Sequence, residues 1–347
     1  MSAPVQHYSV LVRCFTYNQE KYIEDALNGF VMQQTNFPFV CLIVDDASTD
    51  KEPEVIKSFL QRECDMENVE FKEIEEAHII SVHHKKNSNC LMVVYLLKNN
   101  LYTQKEKKMA LVKPWRDACK YEAMCEGDDY WTDPLKLQKQ VDFLEKNTDY
   151  GLVYTNYKKN IQENQSFIEG QSKQSDFDSL LFSNNICTLT TLYRKGIAEE
   201  YRSKYQKISI SHSWKMGDYP LWLYIAAHSK IKYLEDVTGV YRVLSNSASH
   251  SQDYKKSLSF LLSSYDIRFY FAKEYQKDYH IKNIAGNEVK AIINISNKFN
   301  KNAKINVTKF FLRHQLWHPR FYLLCLLSKY KKSRKFAKML KPNFFEN

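Results

Sequence analysis

Glycine is scarce in this chain, at eight of 347 residues. The first glycine, Gly29, falls inside a segment with helical apolar spacing, and no two glycines are separated by a single residue. Dinucleotide-binding sheets need a G-x-G-x-x-G turn after the first strand, and P-loop enzymes need G-x-x-x-x-G-K-[ST]. The sequence therefore excludes both classes, and we expect a metal ion and side chains, not a glycine-rich loop, to hold any phosphate.

Paired cysteines and long apolar runs are missing as well. The eight cysteines are scattered without a C-x-x-C pair, which supports neither a zinc site nor a thioredoxin-like motif and fits reduced thiols in a cytoplasmic protein. The longest apolar candidate, Phe321 to Leu327, falls far short of the roughly 20 residues of a membrane-spanning helix. No basic segment followed by an apolar run opens the sequence, so we expect no secretory signal.

Positive charge is concentrated in one part of the sequence. The net charge is +10, and the stretch from Lys304 to Lys341 holds eleven Lys and Arg residues with no Asp or Glu. A near-neutral body with a basic tail argues against a nucleic-acid partner. Basic helical patterns at Leu258 to Tyr270, Lys282 to Phe299 and Phe321 to Leu340 fit two readings. The helices either contact the inner face of the plasma membrane peripherally or form a helical cap whose lysine face is solvated.

Strand and helix patterns alternate from the start of the chain. An apolar strand at Tyr8 to Cys14 precedes a helix at Glu20 to Gln33, and a second strand, Phe39 to Val44, precedes a helix that contains Ile56 and Leu60. Two such units predict a mostly parallel α/β sheet flanked by helices. Further strands are predicted at 69–74, 78–82, 91–97, 122–125, 152–155, 186–193, 232–234 and 237–242, and further helices at 113–121, 135–146 and 219–228. Residues 158–180 are expected to form a surface excursion, and the pattern is helical after about residue 254.

Polar clusters follow three of the predicted strands. They are Thr16-Tyr17-Asn18, Asp45-Asp46 and the acidic run Glu126 to Asp129. Ligands of open parallel sheets bind beyond the carboxyl ends of the strands. Adjacent carboxylates repel one another unless a cation or hydrogen-bond donors compensate, and a hard divalent ion that bridges a diphosphate supplies such a cation. Each cluster alone would pass for a solvated turn or a helix cap, but the three together favour a ligand site.

Three sequence blocks then carry a resemblance to a known family. Residues 9–18 (SVLVRCFTYN), 42–50 (LIVDDASTD) and 125–131 (CEGDDYW), with their spacing, resemble the family 2 glycosyltransferases of the A-type nucleotide-diphospho-sugar transferase fold over about residues 7–250. The resemblance implies an inverting, Mg²⁺- or Mn²⁺-dependent transfer from a nucleotide-diphosphate sugar to a glycan or lipid-linked glycan acceptor. It suggests bacterial surface glycan synthesis, such as O-antigen or capsule. We expect a catalytic domain at 1–253 and a helical extension at 254–347.

The resemblance also implies roles for residues of the nucleotide site. Asp46 would accept a hydrogen bond from the base or ribose, and Asp45 would be the structural member of the pair. The side chains expected around the nucleoside, from the loop after the first strand, are Thr16, Tyr17, Asn18 and Glu20. The cations available for the phosphates are Lys113, Arg116 and Arg242, with Lys113 and Arg116 left as alternatives.

The acidic run corresponds to the D-x-D element of the family. Asp128 is the first choice for the metal ligand and Asp129 the alternative, while Glu126 would contact the ribose or metal-bound water. Asp129 and Trp131 would shape the donor-sugar site, although Trp131 would serve equally well as a core residue. His250 is a further candidate metal ligand and, alternatively, an ordinary surface or core histidine.

Asp218 matches the position of the family's general base. It precedes Pro220, which suits the first turn of a helix, so Asp218 would lie at the N-terminus of that helix, where it would also serve as a cap. The other functions considered are a sugar-phosphate nucleotidyltransferase, which the missing glycine-rich loop argues against, and a non-catalytic sugar-nucleotide-binding relative. Retention of Asp46, the acidic run and Asp218 together argues against the second.

Overall fold

A computed structural model describes residues 7–161, 166–244 and 251–301. The strands are β1 (Tyr8–Thr16), β2 (Phe39–Asp45), β3 (Glu70–Glu73), β4 (Ala77–His83), β5 (Cys90–Leu97), β6 (Cys119–Met124), β7 (Tyr130–Trp131), β8 (Tyr150–Ile161), β9 (Ser166–Glu169), β10 (Leu192–Arg194) and β11 (Lys230–Val243). The helices are α1 (Ile23–Val31), α2 (Glu52–Glu63), α3 (Lys105–Asp117), α4 (Lys136–Lys146), α5 (Phe177–Phe182), α6 (Lys195–Ser211), α7 (Tyr219–His228), α8 (Tyr254–Glu274) and α9 (Ile281–Lys298).

The strands form one mixed sheet in the order β3-β4-β5-β2-β1-β6-β10-β8-β11-β7, with β9 paired to β8. Strands β5, β2, β1 and β6 run parallel, as the alternating strand and helix patterns predicted. Strand β10 is antiparallel to both β6 and β8. The predicted fold class, an α/β sheet flanked by helices and followed by helices towards the C-terminus, is confirmed. The parallel pairing is confined to the central strands and to β8 with β11, so the sheet as a whole is mixed.

The central strands bring the three polar clusters to one edge of the sheet. Because β1 lies between β2 and β6, their carboxyl ends are neighbours, and the Cα atoms of Thr16 and Asp45 are register partners. The ladder between β1 and β6 continues past the end of β6, since the Gly127 N–H donates to the carbonyl of Phe15. The acidic run therefore leaves the sheet directly beside the loop that follows β1.

Both faces of the central strands are buried, which explains their nearly continuous apolar sequences. On one face, Val12 and Cys14 of β1 pack with apolar residues of α1, α2 and α4. On the other face, Leu11 packs with Leu42 of β2 and with Val112 of α3. These two clusters fix the strands whose ends carry the polar residues.

Some predicted elements differ from those of the structure. The helix expected at 113–121 is α3, which begins eight residues earlier in a lysine-rich stretch and ends before β6. The strand expected at 186–193 is largely a short 3₁₀ turn at Thr188–Thr190, and only its end belongs to β10. The strands expected at 232–234 and 237–242 are one strand, β11, whose pairing with β8 shifts register between Leu234 and Val237. The surface excursion contains the end of β8 and its hairpin partner β9, and α6 was not predicted.

The chain divides into two compact units that are discontinuous in sequence. The first consists of residues 1–176, 185–203 and 228–243 and contains the sheet. The second consists of residues 177–184, 204–227 and 244–347 and, where described, is helical. This division differs from the predicted boundary at 253, since segments from the middle of the chain join the C-terminal helices.

Among the helices of residues 7–161, 166–244 and 251–301, none is both long enough and apolar enough to cross a membrane. The predicted helix at 321–340 lies outside the described residues.

Candidate active site

Close backbone contacts hold the acidic run in place. A Cβ atom on Gly127 would lie 2.5 Å from Oε1 of Gln19 and 2.8 Å from Cβ of Thr16. A Cβ on Gly29 of α1 would lie 2.8 Å from the backbone nitrogen of Trp131. Real Cβ atoms do not approach other atoms so closely, so both positions need glycine. Gly29 and Gly127 thus allow α1 and the loop after β1 to pack closely against the acidic run and the strand that follows it.

The three carboxylates of the acidic run converge. One oxygen from each of Glu126, Asp128 and Asp129 lies within 4.8 Å of the others. Glu126 is exposed, Asp128 is half-buried and Asp129 is buried. Burial raises the pKa of Asp128, and burial together with the charge of Asp128 raises the pKa of Asp129 well above its usual range. A bound divalent cation would relieve both effects, and carboxylate oxygens are the ligands that Mg²⁺ and Mn²⁺ prefer.

Arg242 links the end of β11 to the acidic run by hydrogen bonds. Its backbone N–H donates to Oδ1 of Asp129 over 2.8 Å, and its Nη1 donates to the carbonyl of Asp128 over 2.8 Å. Its Nη2 pairs with Asp25 of α1, and the guanidinium lies 4.4 Å from the ring centroid of Tyr130. Arg242 therefore holds the run by contacts within the protein, in addition to any role toward phosphate.

A buried carboxylate supports the loop after β1. Glu52, at the start of α2, is fully buried and accepts hydrogen bonds from the Thr16 hydroxyl, from the Gln19 N–H over 2.9 Å and from the Ser48 hydroxyl over 2.8 Å. Burial raises the pKa of Glu52, and these three hydrogen bonds oppose that rise. Thr16 accordingly stabilises the loop. Its hydroxyl also donates to the Gln19 side chain over 2.7 Å, and that side chain hydrogen-bonds Asp128.

Asn18 and Glu20 tie the same loop to the one that follows β2. Asn18 has a left-handed backbone, with φ of 54°, and its side-chain oxygen accepts from the Thr49 N–H over 2.8 Å. Glu20 accepts from the Lys51 N–H over 2.9 Å. Of the four residues predicted around the nucleoside from this loop, Tyr17 is the aromatic one. Its side chain is 46% exposed, so its ring offers a surface on which a base can stack.

The two aspartates after β2 have different partners. Asp45 is buried and bonds to the Ser48 hydroxyl, as expected of a structural residue. Asp46 is also buried; its Oδ1 accepts from the Leu101 N–H over 2.7 Å, and its Oδ2 pairs with Lys108 of α3. The Lys108 ammonium further lies 5.2 Å from the ring centroid of Phe15. Lys108 was not predicted, and it pairs directly with Asp46 of the predicted nucleoside site.

Lys113 and Arg116 pair with carboxylates outside the acidic run. The Lys113 side chain is 65% exposed and pairs with Asp117 over 2.5 Å. Arg116 is buried, with its Nε 3.4 Å from Oε2 of Glu122 in β6. Trp131 is 2% exposed, and its indole N–H donates to the carbonyl of Leu189 over 2.8 Å. The packing alternative for Trp131 fits this geometry, and its ring offers almost no surface to a sugar.

Asp218 belongs to the second compact unit, directly before α7, where its Oδ1 accepts from the Tyr219 N–H over 2.8 Å. The helix begins where the sequence predicted. His250 lies outside the described residues.

Sequence reasoning missed Lys108, Glu52, Gln19 and Asp25. Glu52 had a local signal, because it follows Ser48 by four residues at the start of a predicted helix, where a carboxylate is favourable. Lys108, Gln19 and Asp25 are partners of residues distant in sequence, and no local pattern distinguishes them from other surface polar residues.

Part of the chain resembles known proteins in sequence. Residues 14–89 match the model of the family described as Glycosyl transferase family 2, and the predicted resemblance to that family is confirmed. Two mycobacterial proteins, Rv1520 of Mycobacterium tuberculosis and Mb1547 of Mycobacterium bovis, are each 33% identical over 184 residues. That match covers 52% of this chain and 45% of each relative, so the aligned part is about half the length of the curated relatives.

Solved structures show the likeness of fold. The crystal structure of Staphylococcus aureus TarS has a TM-score of 0.51 and 14% sequence identity, over 96% of this chain and 55% of that one. A mannosyltransferase from Pyrobaculum calidifontis, solved with GDP-Man and Mn²⁺, has a TM-score of 0.48 and 14% identity, over 97% of this chain and 85% of that one. At 14% identity the likeness to TarS concerns the fold alone.

Proposed function

We propose that this protein is a metal-dependent glycosyltransferase that uses a nucleotide-diphosphate sugar as donor. The observation that carries the proposal is the convergence of Glu126, Asp128 and Asp129 within 4.8 Å at the end of β6, beside the polar ends of β1 and β2. The match of residues 14–89 to the family 2 model supports the same activity.

Asp128 is the metal ligand we propose first. It is half-buried, so its carboxylate is open to a ligand, and its pKa is already raised by burial. Asp129 uses one oxygen for the Arg242 N–H and keeps the other for the metal or the donor sugar. Glu126 is exposed and reaches the ribose or the water around the ion. When bound, Mg²⁺ or Mn²⁺ would neutralise charge on the diphosphate leaving group.

The nucleoside would lie over the ends of β1 and β2. Tyr17 provides a stacking surface, and the ion pair of Asp46 and Lys108 provides both an acceptor and donors for the base or ribose. The hydrogen bonds of Asn18 and Glu20 to the opposite loop keep the walls of this pocket in place before a ligand arrives. Such preorganisation lowers the entropy that binding must otherwise remove.

Asp218 is the general base we propose, on the resemblance alone. It would remove a proton from the acceptor hydroxyl, which then attacks the anomeric carbon in a single displacement with inversion. The acceptor we propose is a glycan or lipid-linked glycan of the bacterial cell surface. We also propose that the protein acts in the cytoplasm, with peripheral membrane contact through its basic C-terminal segment.

Donor hydrolysis in the absence of acceptor tests the proposed activity. We expect one nucleotide sugar from a panel of UDP- and GDP-sugars to release its nucleoside diphosphate when Mn²⁺ or Mg²⁺ is added, and EDTA to abolish the release. Asp128→Asn should lower the rate at least 100-fold, because the ligand that places the ion is lost. Asp149→Asn removes an aspartate that is paired with Lys230 on the surface and should leave the rate unchanged. A full panel without metal-dependent release would contradict the proposal.

Asp218 is tested separately from the metal site. Asp218→Asn should retain donor binding and lose transfer, whereas Asp128→Asn should lose both. If Asp218→Asn transferred sugar at the wild-type rate, another residue would be the base.

A further inference from the structure

Three arginines surround one buried carboxylate on the sheet face that is covered by α3. The Glu122 side chain is fully buried; its Oε1 is 2.8 Å from Nε of Arg13, and its Oε2 is 2.8 Å from Nη2 of Arg202 and 3.4 Å from Nε of Arg116. Tyr193 is the register partner of Glu122 across β10 and β6. We refer to Arg13, Arg116, Arg202 and Glu122 as the arginine cluster.

The arginine cluster carries an excess of two positive charges. Within the described residues, Glu122 is the only carboxylate that forms an ion pair with any of the three arginines. Asp117, which follows Arg116 in sequence, pairs with Lys113. Burial and the neighbouring guanidinium groups lower the pKa of Arg116. Uncompensated charge in a buried position is costly, so the cluster favours an additional anion.

Donor atoms of this cluster also lack acceptors. Arg116 is 6% exposed. In the described part of the protein its Nη2 has no hydrogen-bond partner, and neither has Nη1 of Arg202, while the Nε of Arg116 has only the 3.4 Å ion pair with Glu122. Buried polar atoms in native proteins are nearly always paired with protein, water or a ligand. Donors from α3 and α6 therefore face the same carboxylate with hydrogen-bonding capacity left over.

We propose that the arginine cluster is a binding site for an oxyanion of the phosphate class. Planar guanidinium groups match the paired oxygens of such an anion, and one dianion would balance the excess charge. Glu122 then acts as the positioning carboxylate that holds the three guanidinium groups around one point. Glu122 precedes Glu126 by four residues, or about 13 Å along a strand, so this site is separate from the acidic run and does not depend on the proposed transferase activity.

Thermal unfolding of the full chain tests the proposal. In EDTA and a buffer free of phosphate, inorganic phosphate is titrated in one series and UDP in another. We expect wild-type protein to show a saturable rise in Tm. Arg116→Met should melt no lower than wild type without anion, because it removes uncompensated charge, and it should lose at least ten-fold in apparent affinity for the anion. A response to phosphate itself identifies a free oxyanion as ligand, and a response to UDP alone identifies the phosphates of a nucleotide.

Two control variants separate this site from the others. Lys113→Met removes a cation from the exposed side of the same helix, and Asp128→Asn alters the acidic run; both should keep the anion response. If Arg116→Met does not fold, Arg116→Lys retains the charge without the planar fork and should also weaken the response at least ten-fold. The proposal is wrong if wild type shows no saturable response or if the Arg116 variants respond as wild type does.

Discussion

Lys136 provides a pH-dependent test of the packing beneath the acidic run. Its side chain is fully buried, with the ammonium 4.3 Å from the ring centroid of Trp131 and 2.8 Å from Oε1 of Gln140. Burial lowers the pKa of Lys136 from 10.5 to about 7, against the opposing influence of Cys125 and Asp133. We expect this lysine to make the folded protein more stable as the pH rises above neutrality.

The sign and size of the effect follow from proton linkage. Between about pH 7 and 10.5 the unfolded chain holds the Lys136 proton and the native state releases it, so the free energy of unfolding rises with pH. That stability is fully present above the unfolded pKa of 10.5 and is lost as the pH falls through about 7. At about 1.4 kcal/mol per pH unit for one proton, and allowing for half-titration at pH 7, the gain between pH 7 and 9 is about 2 kcal/mol.

Comparison of wild type with Lys136→Met isolates this contribution. Urea unfolding of both proteins between pH 6 and 9 gives a difference in free energy from which the other titrating groups cancel. The difference should change by about 2 kcal/mol between pH 7 and 9, in favour of wild type at high pH. The loss of the Gln140 hydrogen bond shifts this difference by a constant and leaves its slope unaffected. A difference that is flat with pH would refute the lowered pKa.

Two further predictions concern the close contact of Gly127 with the loop after β1 and the ion pairs of the arginine cluster. Gly127→Ala should destabilise the protein by about 1–3 kcal/mol and weaken Mn²⁺ binding, because the new Cβ meets Thr16. The control is Gly196→Ala, which lies in open space on α6 and should be neutral or slightly stabilising. Equal effects of the two changes would contradict the close contact between Gly127 and the loop after β1. Glu122→Gln should cost about 3–5 kcal/mol at pH 7, measured by urea unfolding. The arginines hold the pKa of Glu122 well below its usual range, so the stability that ionised Glu122 contributes is lost as the pH falls below about 4.5. The cost of Glu122→Gln should therefore shrink in that range. A cost that does not depend on pH would contradict the ion pairing.

The central strands and the neighbouring positions of the three polar clusters could be predicted because the relevant signals are local. Apolar strands such as Phe39–Val44 end abruptly in carboxylates, and the parallel order β2-β1-β6 brings those ends together. The start of α7 behind Asp218 followed from Pro220 and the apolar run after it. These features depend on a few neighbouring residues and on general rules of sheet topology.

Side-chain partnerships could not be predicted in the same way. Lys108 and Asp46 are 62 residues apart, and Arg242 contacts Asp25 across 217 residues. The resemblance implied that Arg116 is a candidate for the donor phosphates, yet Arg116 pairs with Glu122, which the sequence placed only in a buried strand. Helix α6 escaped prediction because its charged and apolar residues form no clear stripe. Such choices depend on which surfaces the fold brings together.

Direct titration of Mn²⁺ tests the central claim, namely that the acidic run holds a catalytic metal together with a nucleoside diphosphate. Electron paramagnetic resonance reports free Mn²⁺ in mixtures of the full chain with UDP or GDP. We expect about one Mn²⁺ per chain to bind when the matching nucleotide is present, with affinity at least 100-fold weaker in Asp128→Asn and unchanged in Asp149→Asn. Binding that is unaffected by Asp128→Asn, or no nucleotide-dependent binding at all, would contradict the account.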